Sequence, residues 1–343
     1  MATTDNQIQY AGEYKVEKLK LHTARGSYDL TKTFVQIDLF ENIFSHSMSG
    51  SLIFIDTDNL VINSPIVGQE YLELKISSPG IAGADSIDFS ENVLSIYKIG
   101  YVSDVSKSSQ MIEVHLISPE FLKNQRLRVS KSYQVKTNDQ IIEDVLTNTE
   151  YIDTKKNVFI EPTKGSRNII SPNYHPFDLI KILTTESNNT SFINSEVNFH
   201  VFYENTQGYH FKSLSHLFSR PTNGDFHCGD VSILEKDNKD VEDFTRVIQH
   251  QRSNSNDMLQ NIVSGLLGSN LTVHDLYNKK YENYQYNYFD SFNEGFPRID
   301  DNPVYYDDFI DNKNRTVGDF SNARIHLSSR SGQVDPTGNK SFT

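Results

Sequence analysis

The 343-residue chain carries a formal charge of −13, one cysteine and no tryptophan, with 36% hydrophobic and 22% charged residues. That balance is globular and long enough for more than one core; it excludes a disulfide framework and a cysteine-based metal cluster and disfavours a dedicated nucleic-acid binder. The 21 Phe and 18 Tyr lean the chain towards β structure.

The N-terminal MATTDNQIQYAGEYKVEK has neither a basic nor an apolar secretory region, and no stretch is long and apolar enough to span a bilayer. Strong alternation follows. FVQIDLF (34–40) places Val35, Ile37 and Leu39 on one face; YLELKI (71–76) places Leu72, Leu74 and Ile76; MIEVHLI (111–117) places Ile112, Val114 and Leu116. VLSIYKIGYVSDV (93–105) reads as two strands or one bent at Gly100, and SSPGIAG (77–83) as a turn. These half-buried antiparallel strands predict a small barrel or sandwich over 1–118.

The pattern changes at Pro119. TNDQIIEDVL (137–146) opens with Thr137 and Gln140 at capping-box spacing and continues with Ile141, Ile142, Val145 and Leu146 at helical spacing. NVFIEPT (157–163) predicts a strand. HPFDLIKILTTES (175–187) predicts a helix with Pro176 in its first turn and Phe177, Ile180 and Leu183 on one stripe. Residues 119–198 are thus expected to form a smaller α/β insert domain.

From 199 the β pattern returns. VNFHVFYENTQGYHFKSL (197–214) predicts a hairpin with Phe199, Val201 and Tyr203 alternating before an NTQG turn and Tyr209 and Phe211 after it. FTRVIQHQ (244–251), SNLTVHDL (269–276) and YENYQYNYF (281–289) are further strands, and NDMLQNIVSGLLG (256–268) a short helix broken at Gly265 or Gly268. The run Tyr281, Tyr284, Tyr286, Tyr288 and Phe289 reads as packed strand surface rather than a ligand platform. A second β unit is expected over 199–290, and a C-terminal segment over 291–343 whose polar end (328–343) forms a tail.

The two β units share a sentence. ENIFSHSMSGSLIFID (41–56) aligns with QNIVSGLLGSNLTVHD (260–275), pairing Asn42 with Asn261, Ile43 with Ile262, Ser45 with Ser264, Leu52 with Leu271 and Asp56 with Asp275. If the units are related, Leu52 and Leu271 should both point inward.

Residues that could carry chemistry are scattered. SGLLGS around Gly265 and Gly268 lacks the Lys-Ser/Thr of a phosphate loop, and there is no G-x-S-x-G or H-E-x-x-H. Adjacent His227 and Cys228 would point to opposite faces of a strand. Asp56 and Asp58 lack the glycine and distal glutamate of a calcium loop. Asp300, Asp301, Asp307, Asp308 and Asp311 form an acidic cluster in which no pair stands out as a glycosidase acid and nucleophile. No catalytic, cofactor-binding or metal-binding residue is therefore assigned.

Three segments carry a resemblance: FENIFSHSMSGSLIFIDTDNLVINSPIVGQEYLEL (40–74), FYENTQGYHFKSL (202–214) and GLLGSNLTVHDLYNKKY (265–281). With them the chain resembles the baseplate central hub subunit of T-even-like contractile-tailed phages, a family related to the spike proteins of other contractile injection systems. The resemblance implies a non-enzymatic virion protein, assembled in the host cytoplasm, with two related antiparallel β-barrels similar to the tail-tube protein. It further implies a ring-shaped homotrimer that joins a threefold central spike with a tail-lysozyme-like protein to a sixfold tail tube or tube initiator. Inner baseplate proteins would surround it, and DNA would pass through without being specifically bound. No membrane and no cofactor are implied. A carbohydrate-active or lytic tail-tip protein is the alternative.

Overall fold

The computed structural model describes residues 14–57, 60–77, 86–106, 109–189, 199–222, 257–275, 279–293, 305 and 312–330, with single positions at 224, 226, 247, 249 and 251. The chain is mainly β.

The first sheet is built from β1 (Lys15–Thr23), β2 (Gly26–Asp29), β3 (Phe34–Phe40), β4 (Ser49–Asp56), β5 (Tyr71–Ser77), β6 (Ile87–Asp88), β7 (Leu94–Ser106) and β8 (Ser109–Ile117), with a short helix α1 (Leu60–Asn63) after β4. Their order is β2-β1-β5-β7-β8-β4-β3, with β6 beside β5, and every pair is antiparallel. Alternate residues of five strands (Leu21, Leu72, Ile96, Val114 and Leu52 among them) meet in one cluster. A flat sheet cannot shield its own face, so this one curls around the cluster, with Leu60 and Ile66 adding to it. Among the described residues the end strands β2 and β3 do not pair with each other. Where a small barrel or sandwich was expected, the described residues form one antiparallel sheet that does not close.

Two local features shape it. A bulge between Phe34 and Gln36 on β3 shifts the register against β4. It places Phe34, Ile37 and Leu39 against the core and leaves Val35, expected on the core face, exposed. On β7 the pairing with β8 shifts between Ile99 and Val102, around Gly100. A Cβ at Gly100 would meet the end of the Glu113 side chain, and Leu94–Ser106 form one strand where two had been the other option.

A second core follows. It contains α2 (Pro119–Arg126), β9 (Val129–Lys136), α3 (Asn138–Thr147), β10 (Asn157–Ile160), β11 (Arg167–Tyr174), α4 (Pro176–Thr185), β12 (His200–Asn205), β13 (Gly208–Ser213) and α5 (Leu214–Phe218). The Thr137 N–H donates to Gln140 Oε1 at 3.5 Å at the start of α3, and Pro176 opens α4. Ile141, Ile142, Val145 and Leu146 of α3 and Phe177, Ile180 and Leu183 of α4 are buried as their spacing predicts. β10 pairs parallel with β13, and β13 antiparallel with β12; β9 and β11 form a separate ribbon.

Across the boundary expected at 198/199, Phe202, Tyr209 and Phe211 of the hairpin lie in the same cluster as residues of α3 and α4. The hairpin's inward face is that of Phe202; Tyr203 lies on the opposite one, stacked on His210 at 5.0 Å. The two-residue turn is closed by Asn205 Oδ1, which accepts from the Gln207 N–H (3.0 Å) and the Gly208 N–H (3.2 Å).

The third unit comprises α6 (Met258–Ser264), β14 (Gly268–Asp275), β15 (Lys280–Asn287), α7 (Tyr288–Asn293) and β16 (Ile325–Arg330). α6 ends at Gly265, whose φ of 85° is the left-handed cap that glycine favours. The sheet order is β15-β14-β16, with β14 antiparallel to β15 and parallel to β16. No closed second barrel forms among the described residues, and most of FTRVIQHQ lies outside them. Residues 328–330, expected to begin the polar tail, belong to β16; the rest of that stretch lies outside the described residues.

Candidate assembly surfaces and a buried charged junction

Unpaired strand edges are the first candidate. Among the described residues β3 pairs only with β4, and β2 only with β1. β7 meets β5 through two residue pairs, Tyr71 with Ser95 and Leu72 with Leu94. Beyond them, from Tyr97 onward, β7 pairs among the described residues on one side, to β8. These edges carry apolar side chains in water: Val35 and Phe40 on β3, and Tyr97, Tyr101, Val102 and Val105 on β7. An open edge with apolar flanks is a template for pairing with another chain.

The second feature is buried. Lys156 Nζ lies 2.8 Å from Glu120 Oε2 and 2.6 Å from Glu204 Oε1, and the three side chains are 6%, 8% and 1% exposed. Glu204 also accepts from Ser118 Oγ (2.7 Å) and from the Met48 N–H (2.9 Å), and Glu120 from Thr154 Oγ1 (2.9 Å). Lys156 Nζ sits 5.7 Å from the centre of the Tyr209 ring. Two carboxylates and one ammonium thus tie the start of α2 and strand β12 to the backbone leading into β4. Buried charges of this kind fix geometry more than they add stability. His46 lies at the same junction, its ring 6.2 Å from Phe177 and 5.9 Å from Phe202. Burial there pushes its pKa below the usual histidine value; Lys181 pushes the same way and Asp178 opposes it.

The third feature is the repeat. Strand β4 spans Ser49–Asp56 and β14 spans Gly268–Asp275, the same eight positions at the 219-residue offset of the sequence alignment. Each lies between two partners, β4 between β3 and β8, and β14 between β15 and β16. The surroundings differ: both neighbours of β4 are antiparallel, whereas β16 is parallel. Leu52 is fully buried and Leu271 half-buried.

Of the positions weighed for chemistry, Asp56, Gly265 and Gly268 are among the described residues. Asp56 is buried at the end of β4, and Gly265 and Gly268 flank the start of β14. Asp58, His227, Cys228 and the five aspartates from Asp300 to Asp311 lie outside the described residues. Among the described residues no three His, Cys, Asp or Glu side chains converge as metal ligands, and no helix is long and apolar enough to cross a membrane. Sequence reasoning missed the Glu120–Lys156–Glu204 junction. Its one signal was Glu204 two residues from Phe202, on the same face of a strand that had been read by its other face.

No protein-family model matches the chain, and no curated protein matches it. Solved structures are similar to it at low identity. The 43 kDa tail protein of prophage MuSo2 from Shewanella oneidensis is 12% identical over 57% of this chain and 54% of that one, with a TM-score of 0.38. A tail protein from Neisseria meningitidis MC58 is 9% identical over 94% of this chain and 72% of that one, with a TM-score of 0.44. A component of the Escherichia coli type VI secretion system, described as structurally similar to T4 bacteriophage tail proteins, is 14% identical over 58% of this chain and 46% of that one, with a TM-score of 0.32. The chain thus spans about half the length of the Shewanella protein. Likenesses of this size leave function to be argued from the chain itself.

Proposed function

We propose that the chain is a non-enzymatic structural subunit of the central hub of a contractile tail, and acts as a homotrimeric ring. One side of the ring would seat a threefold spike and the other a sixfold tube, with inner baseplate proteins around it. The observation that carries this reading is the coincidence of β4 and β14, residue for residue, as middle strands of two separate sheets. Duplication of a unit within one chain lets three chains present six similar surfaces, which is what a joint between threefold and sixfold symmetry requires.

The open edges of β3 and β7 supply pairing surfaces for such a ring, with interfaces above about 2,000 Å² in total. The net charge of −13 suits a lumen through which DNA moves without adhering. On this reading, replacing lumen-facing Asp or Glu with Lys slows DNA ejection, most at low salt. The deciding experiment is solution mass by light scattering, with and without the spike protein of the same tail. A three-chain mass under either condition is expected; a monomer under both overturns the reading. Hydrolysis of peptidoglycan by the purified chain would favour the lytic alternative.

A further inference from the structure

The chain is acidic overall, yet one surface beside α3 is the opposite. Residues 126–136 hold Arg126, Arg128, Lys131 and Lys136, residues 164–174 hold Lys164 and Arg167, and neither stretch contains an Asp or Glu. The two stretches enclose β9 and β11, which pair only with each other among the described residues. Lys131 is matched by Asp144 at 2.8 Å, and Arg167 by Glu186. Arg126, Arg128, Lys136 and Lys164 are exposed and form no ion pair among the described residues. Lys136 also lies directly opposite Arg167 in the ladder, where like charges repel.

Between these charged ends the ribbon carries apolar side chains in water. Ile170 is 75% exposed, Val135 72% and Tyr174 39%, and Pro172 is exposed with them. The register shifts near both ends of the ribbon, between Arg167 and Ile169 and between Pro172 and Tyr174. Val135 has a φ of 51°, a left-handed backbone that a β-branched residue rarely adopts, and its N–H donates to Asn168 Oδ1 at 2.8 Å. Asn173, at the other end, has a φ of 64°, and its carbonyl accepts from Arg128 Nη1 at 3.3 Å. Glycine would hold the Val135 position without strain, so the valine side chain stands in water at a backbone cost.

We propose that the β9–β11 ribbon docks an extended segment of a partner protein, one whose acidic residues flank an apolar centre. The ribbon is separate from the open edges of β3 and β7, and the inference does not depend on the hub reading. Charge complementarity identifies the occupant. Arg126 and Arg128 precede the start of β9, and Lys136 ends it. Lys164 comes three residues before Arg167, which pairs with Lys136. A strand of 8 residues spans about 25 Å, so one extended segment of similar length reaches the cations at both ends. Nucleic acid suits the surface less well, because phosphates call for closely spaced cations and the centre here is apolar.

The test uses the full-length chain and a fluorescein-labelled octapeptide with two aspartates at each end of a valine-isoleucine centre, read by fluorescence anisotropy at low salt. The peptide is expected to bind, and added salt to weaken it. Arg128→Glu and Lys136→Glu should each weaken binding about threefold, and the two together about tenfold. Ile170→Asp should weaken it about tenfold. Val135→Gly should weaken binding without lowering the melting temperature, because glycine accepts the left-handed backbone; a residue that served folding alone would leave binding unchanged. Val67→Asp, at a site 69% exposed outside the ribbon, should bind as wild type does. Circular dichroism checks that each variant is folded. No binding by the folded wild-type chain, equal loss in Val67→Asp, or unchanged binding in the charge-reversed double variant would each overturn the inference. So would a DNA duplex that binds the ribbon more tightly than the peptide, or self-association of the wild-type chain that Ile170→Asp abolishes, since the occupant would then be nucleic acid or a second copy. The hub reading stands or falls separately, on the three-chain mass.

Discussion

Replacing Lys156 with methionine isolates the buried junction. The side chain has similar length and no charge, so the packing changes little while Glu120 and Glu204 lose their shared cation. Both carboxylates keep some partners: Ser118 Oγ and the Met48 N–H on Glu204, and Thr154 Oγ1 on Glu120. None of these neutralises charge. Breaking a buried ion pair from one side costs about 3–5 kcal/mol. A desolvated cation over an aromatic ring, as Lys156 stands over Tyr209, adds up to about 2 kcal/mol. Against a typical domain stability of about 5–15 kcal/mol, Lys156→Met should remove about a fifth or more. Adding Glu120→Gln and Glu204→Gln to the same chain should restore most of the loss, because no uncompensated charge then remains buried. Urea unfolding followed by circular dichroism at pH 7 measures both. A loss under about 1 kcal/mol for Lys156→Met, or a triple variant no better than the single one, would refute the description of the junction as a buried, mutually dependent set of charges.

Three further outcomes test other parts of the structure. Phe34→Ala should cost about 1–3 kcal/mol, since Phe34 is half-buried against the core, and Val35→Ala under about 0.5 kcal/mol, with unfolding midpoints as the readout; the reverse order would remove the bulge. Gly208→Ala should lower the melting temperature, since φ is 138° and a Cβ there would strike the Asn157 carbonyl on the paired strand β10; an unchanged midpoint would contradict that approach. His46 titrates below its ordinary pKa of 6.5 in the folded chain, so protons favour the unfolded state. Its contribution is intact above about pH 6.5 and declines as pH falls from there towards the folded value. His46→Phe, which keeps a ring against Phe177 and Phe202, should reduce the acid slope of stability between pH 7.5 and 5; an unchanged slope would remove His46 from the junction's pH response.

Much of the fold was legible because it answers to local period. The inward sets of β5 and β8, and the stripes on α3 and α4, follow from alternation and from helical spacing. What was not legible depends on partners far along the chain. Val35 and Ile37 look equivalent until the bulge opposite β4 separates them. The parallel pairing of β13 with β10, some fifty residues earlier, leaves no mark in the letters of the hairpin itself. Glu120, Lys156 and Glu204 are ordinary charged residues one by one, and only folding brings their charges within 3 Å. The repeat was legible as sequence, but the unequal burial of Leu52 and Leu271 was not, because it depends on the different neighbours of β4 and β14.

The bond from the Met48 N–H to Glu204 spans 156 residues. A ribosome adds about 5–20 residues per second, so the amide waits about 8–30 s between its own synthesis and that of its acceptor. All eight strands of the first sheet are complete by Ile117, well before the acceptor is made. Folding of that sheet as it emerges would leave it undocked, with its edges on β3 and β7 presented to whatever other nascent chains are near. Polysomes crowd such chains together, so the order in which residues emerge bears on whether an edge first meets its proper neighbour or a premature one.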